Sequence, residues 1–211
     1  MTEAASVTTF VIGARLPWPD YAPVFNENGP FEAGIVHESG KRQECSIRRI
    51  SALGATLRGK LGKAAGEEVA VELATGQRHA ATIDWAEGGE TGIRFHQPID
   101  VLALINRKLV SQTAERRAMP RVEIRCGAFV KKAEDFLPVT LRNISAGGLQ
   151  VEGEGLPPPG TFVSIFIDGL NMPAGEIAWQ RDKLAGIELL EELSWSSIMP
   201  WIREQVRTGA Q

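Results

Sequence analysis

Three arginines lie within six residues at Arg116-Arg117-Ala118-Met119-Pro120-Arg121. Twenty-two residues after the last of them comes Asn143-Ile144-Ser145-Ala146-Gly147-Gly148. A guanidinium is a planar fork that pairs with phosphate oxygens and stacks on flat rings. Pro120 turns Met119 away from helical backbone, so the arginines sit on a loop or extended segment. Asn143 and Ser145 offer an amide, a carbonyl and a hydroxyl suited to a heterocycle edge. Gly147 and Gly148 let the backbone approach a ligand closely. Such residues capture an anion that carries a flat ring. Arg125, Lys131 and Lys132 read as surface charge.

Other chemistries find less support. Ser145 has no base partner, so a nucleophilic role is not expected. His37, His79 and His96 are scattered, and no metal-like Cys/His spacing occurs. Gly54-x-x-x-x-Gly59-Lys60 imitates a phosphate-binding loop, but Leu61 stands where Ser or Thr should hold magnesium. Gly153-x-Gly155 runs into three prolines and cannot open a dinucleotide-binding helix. The expectation is a binding protein without cofactor or metal, not an enzyme.

The 211 residues carry a formal charge of −3, which argues against a nucleic-acid polymer or a membrane surface as partner. Anion capture must therefore be local. Two cysteines, Cys45 and Cys126, suit a reducing compartment. The first twenty residues do not read as a signal peptide, and no apolar run approaches the ~20 residues of a bilayer span. A cytoplasmic location is expected.

The elements that must position these residues come as a repeat. Ser46–Thr56 (SIRRISALGAT) and Thr140–Gln150 (TLRNISAGGLQ) share Arg48/Arg142, Ile50/Ile144, Ser51/Ser145, Ala52/Ala146 and Gly54/Gly148. The offset of 94 residues continues without a gap through Gly66/Gly160, Ile83/Ile177, Trp85/Trp179, Gly92/Gly186 and Ile93/Ile187. In the second copy six short segments read as strands: Val122–Lys132, Val139–Ser145, Leu149–Gly153, Phe162–Asp168, Gly175–Arg181 and Ala185–Leu189. VSIFI alternates imperfectly and GEIAW well. Six short strands in so few residues favour a small antiparallel barrel, because closure removes exposed edges. A helix ends each copy, over Ile99–Thr113 and Ser194–Arg207; Pro200 should kink or split the second, whose apolar face takes Trp195 and Trp201. The first thirty residues read as an extra strand or extended arm. The expected fold is mainly β: two tandem six-stranded antiparallel barrels, each followed by a C-terminal helix, over residues 1–113 and 114–211.

Arg117-x-x-x-Arg121 and Asn143-x-Ser145-x-x-Gly148 together resemble the two-part signature of the PilZ family, bacterial six-stranded barrels that bind cyclic di-GMP. The resemblance covers the whole second copy. It implies that Arg117 and Arg121 grip phosphates and stack on guanine, with Asn143 and Ser145 bonding a guanine edge and Gly148 making room. Arg116 is a third fork, suited to holding a second, stacked ligand. Trp179 can stack on a guanine, although Trp85 holds the same place in the other copy, so a packing role is equally open to it. Before Ser51 no Arg-x-x-x-Arg occurs, and the first copy reads as a degenerate PilZ-like barrel. The resemblance implies a cyclic di-GMP receptor, and because Arg116–Arg121 lie at the joint between the copies, binding is expected to reorient the barrels and signal to an unidentified downstream protein. The rival readings are an interaction scaffold with a vestigial site and a single-stranded nucleic-acid binder. The acidic balance and single tyrosine weigh against the last.

Overall fold

A computed structural model of the chain describes residues 8–18, 31–38, 41–59, 61–62, 64–111 and 120–208. Two compact units divide it, Met1–Arg121 and Val122–Gln211. Described residues are mainly strand, with two helices.

The second unit holds β8 (Arg121–Lys132), β9 (Asp135–Ser145), β10 (Gly148–Glu152), β11 (Phe162–Ile167), β12 (Gly175–Arg181), β13 (Leu184–Leu189) and helix α2 (Trp195–Thr208). β8 pairs with β9, β9 with β10, β10 with β13, β13 with β12, β12 with β11, and β11 returns to β8. All six pairings are antiparallel and the ring is closed, so no edge is left to recruit another chain. Its interior is filled by alternate residues, among them Val130, Leu141, Ile144, Val151, Ile177 and Ile187, all nearly inaccessible. β11 (FVSIFI) alternates strictly, with Val163, Ile165 and Ile167 inward and both phenylalanines outward. Outside, Phe166 lies opposite Phe129 across the strands and 5.6 Å from the ring of Phe136. Cross-strand aromatic contact takes the place of burial for these residues.

β9 begins at Asp135, earlier than the sequence suggests, because Ala133 takes a left-handed conformation (φ 52°) and lets β8 turn straight back. α2 runs through Pro200 as one helix instead of splitting there. Ile198, Met199, Trp201 and Ile202 are buried on both sides of the proline, and Trp201 Nε1 donates to the Asp168 carbonyl at 2.9 Å. Packing outweighs the lost backbone bond.

The first unit contains β1 (Thr9–Val11), β2 (Glu32–Glu38), β3 (Lys41–Ile50), β4 (Gly54–Arg58), β5 (Glu68–Glu72), β6 (Arg78–Glu87), β7 (Glu90–Phe95) and helix α1 (Val101–Ser111). Its antiparallel pairings follow the same order: β2–β3, β3–β4, β4–β7, β7–β6, β6–β5 and β5–β2. The 94-residue offset extends to details. Register shifts fall at Arg48 and Arg142, and again at Asp84 and Ala178. Ile99 N donates to Ala52 O as Leu193 N does to Ala146 O, tying each helix entry to its turn. β1 is an addition: it pairs parallel with β3, Thr9 opposite Arg49, past the pair Glu32–Ile47 at which β2 begins.

Candidate functional site

The turn between β9 and β10 is set by its own residues. Ser145 faces Gly148 across a two-residue connection, and Ser145 Oγ donates to Gly148 O at 3.1 Å. This register places Asn143 opposite Gln150, and Asn143 Nδ2 donates to Gln150 Oε1 at 2.7 Å. Gln150 lies in turn opposite Gly186 on β13, and Gly186 opposite Trp179 on β12. Asn143, Gln150, Gly186 and Trp179 therefore form one row across four strands. On the far side of Asn143 the row continues to Glu123 of β8, whose side chain is buried.

Glycine at 186 is required by this row. A Cβ there would stand 2.1 Å from Trp179 Nε1, so the indole lies directly across the strand backbone. Trp179 is still 42% exposed, leaving ring surface available to a partner. Gly92 and Trp85 repeat the arrangement, with Nε1 2.0 Å from where a Cβ would be. This tryptophan position thus belongs to the architecture of both copies, whatever else Trp179 does.

The two turn glycines differ. A Cβ at Gly148 would meet the Ile187 carbonyl oxygen at 2.7 Å, so its smallness is used by the neighbouring strand. Gly147 is exposed, and a Cβ there would meet nothing within 4 Å. Arg121 opens β8, one residue ahead of the Val122–Ile144 pair, and is exposed. Arg116 and Arg117 lie outside the described residues. Of the sequence-derived set, the fold brings Asn143, Ser145 and Gly148 to adjoining register positions on β9 and β10, while Trp179 lies in the row of Asn143 but on β12, with Gln150 and Gly186 between them.

Sequence reasoning missed Gln150 and Glu123. The signal for Gln150 was present, since a two-residue turn at Ala146-Gly147 fixes residue 150 opposite residue 143. Both thiols are pushed up to about 11 by burial, Cys45 against a smaller lowering from its contact with the Gly34 backbone. An open pocket of about 350 Å³, lined in part by Phe129, Phe166, Asp168 and Met172, contains none of the predicted site residues. Among the described residues no group of three or more His, Cys, Asp or Glu could hold a metal, and no helix is long and apolar enough to cross a membrane.

Residues 115–196 match the model of the PilZ domain family. A search of curated proteins finds no match. Among solved structures the chain is similar to the Borreliella burgdorferi PlzA protein in complex with c-di-GMP, at 12% identity and a TM-score of 0.33, covering 82% of this chain and 86% of that one. It is similar to the Bacillus subtilis inhibitor of motility MotI/DgrA, at 12% identity and 0.34, covering 85% and 98%. A third is YcgR from Escherichia coli in complex with c-di-GMP, at 12% and 0.28, covering 84% and 83%.

Proposed function

We propose that the PilZ domain matched at residues 115–196 makes this chain a cyclic di-GMP receptor, with the second unit as the binding copy. The observation that carries the reading is that match, laid over a closed six-stranded barrel. Arg116, Arg117 and Arg121 supply phosphate forks, Asn143 and Ser145 a guanine edge, Gly147 and Gly148 a close backbone approach, and Trp179 a stacking face. Charge-assisted hydrogen bonds contribute about 1.5–3 kcal/mol each, and a micromolar ligand needs about 8 kcal/mol. Two or three forks with ring stacking suffice after ordering costs.

The first unit, whose strand pairings trace the same ring, is the degenerate copy of a tandem pair. Arginines at the joint between the copies couple capture to movement. Folding the 116–121 segment onto the second barrel reorients the units and changes the surface offered to a downstream protein in the cytoplasm. No catalytic step is involved.

The test is a calorimetric titration of cyclic di-GMP, and separately of a short oligonucleotide, into wild type and Arg121→Ala. Loss of one fork should weaken cyclic di-GMP binding by about 1–3 kcal/mol. Tight binding that ignores the substitution moves the site elsewhere, and no binding to wild type leaves the scaffold reading. Solution scattering with and without ligand tests reorientation; an unchanged envelope at saturation rules it out.

A further inference from the structure

The first unit has its own version of the row that carries Asn143, Gln150, Gly186 and Trp179. The register runs Arg49 opposite Thr56, Thr56 opposite Gly92, and Gly92 opposite Trp85. Here the row is covered by the chain itself. After β1 the backbone turns at Gly13, whose φ of +105° suits glycine. The segment Leu16-Pro17-Trp18 then lies across the row. Arg49 Nε and Thr56 Oγ1 both donate to the Pro17 carbonyl, each at 3.0 Å. Trp18 meets Trp85 edge to face, with centroids 5.7 Å apart and planes at 82°. Leu16 Cδ2 comes within 3.3 Å of where a Gly54 Cβ would stand. Thr56 is 1% exposed beneath this cover.

We infer that this row of the first unit is a peptide-binding site, filled in cis by Leu16-Pro17-Trp18, and that it recognises partners presenting an extended Leu-Pro-Trp-like segment. The inference rests on the proposed reading only in taking the equivalent row of the second unit as a ligand face. The segment is a ligand of the ring rather than a part of it. The six pairings among β2 to β7 close the first ring without it, and in the second unit Asn143 bonds to Gln150 instead. The chemistry is that of peptide recognition: two side-chain donors converge on one backbone carbonyl and an aromatic ring takes the next side chain. Leu16 precedes Pro17 and Trp18 precedes Pro19, so both are already biased to extended backbone and lose little entropy on docking. Arg49, which stands where the second copy has Asn143, is committed to a peptide carbonyl.

The test is fluorescence anisotropy of a labelled peptide with the sequence of residues 12–19, carrying Arg15→Ala, titrated into full-length proteins. A tethered segment competes at millimolar effective concentration, so the peptide should bind Leu16→Ser/Trp18→Ser at least about tenfold more tightly than wild type. Adding Arg49→Ala to that variant should bring affinity back to the wild-type level. A strap-released protein that is folded by circular dichroism and binds no better than wild type overturns the proposal. If the variant does not fold, wild type takes its place, with the unlabelled peptide in millimolar excess. Displacement then speeds tryptic cleavage at Arg15–Leu16, and an unchanged rate overturns the proposal. Cyclic di-GMP titrated into the same proteins reads the second unit, so failure of either idea leaves the other standing.

Discussion

Replacing Gly186 by alanine tests the claim that an indole laid across a strand fixes the row. The new Cβ would stand 2.1 Å from Trp179 Nε1 and 2.5 Å from Cε2, where ordinary contact begins at 3.4 Å. The indole must withdraw by about 1.3 Å, and overpacking of this kind costs about 1–3 kcal/mol. Trp179 is 42% exposed and can swing outward, which puts Gly186→Ala toward the lower end. Gly92→Ala faces the same clash with Trp85, whose ring is also held by the edge-to-face contact with Trp18 and is less free to move. Gly92→Ala should therefore be the more destabilising of the two. The assay is urea unfolding followed by circular dichroism, with each glycine also replaced in a background lacking its tryptophan. In Trp179→Ala the clash partner is gone, and Gly186→Ala should be neutral or stabilising by about 0.4–1 kcal/mol through the unfolded chain. A Gly186→Ala penalty of the same size with and without Trp179 would refute the reasoning, because the indole would then not be its cause.

The thiols give a second expectation. With Cys45 and Cys126 pushed up to about 11, about one thiol in ten thousand is thiolate at pH 7. Reaction of the folded protein with a disulfide reagent should be slow at pH 7 and accelerate roughly tenfold per pH unit. A fast phase at neutral pH would contradict the burial described. The turn glycines give a third. Gly147→Ala meets no atom within 4 Å and should leave stability within about 0.5 kcal/mol. Gly148→Ala drives a Cβ to 2.7 Å from a backbone oxygen and should cost about 1–3 kcal/mol. Equal denaturation midpoints for the two variants would show that the Ile187 carbonyl yields. Weakened cyclic di-GMP binding by Gly147→Ala reports on the ligand rather than on the barrel.

Much of the fold was legible because the repeat is gapless. Gly54/Gly148, Trp85/Trp179 and Gly92/Gly186 each meet the same atoms in both copies, so matches at a constant offset point to a constant structure. Strand segments of the second copy were legible to within a residue or two where turn residues flank them, as at Gly175–Arg181. The start of β9 was not, since an alanine at positive φ carries no turn signal. Pro200 misleads for a related reason: local propensity sees a lost hydrogen bond, while burial of Ile198, Met199, Trp201 and Ile202 is decided by distant strands. Part of the candidate site follows from motif spacing, yet Gln150 and Glu123 enter only through register. The docking of Leu16–Trp18 onto Arg49 and Thr56 was hidden as well, because it joins residues more than thirty apart without a pattern of its own.

Two units whose strand pairings run in the same order face a hazard during folding: a strand of one can insert among the strands of the other. The bulge arginines oppose it. Arg142, with a side chain only 12% exposed, pairs with Glu152 of β10 at 2.6 Å, and Leu184 lies opposite Glu152 on β13. In the first copy the equivalent places hold Arg48, Arg58 and Glu90, with Glu90 of β7 rather than a residue of β4 carrying the counter-charge. If β4 took the place of β10, Arg58 would stand where Glu152 now pairs with Arg142, bringing two guanidiniums together. If β10 took the place of β4, Glu152 and Glu90 would crowd one arginine. Like charges at half-buried cross-strand positions are destabilising. Three side chains per copy thus distribute charge differently at matched positions, so an exchanged strand would meet like charge where the native strand meets its counter-charge.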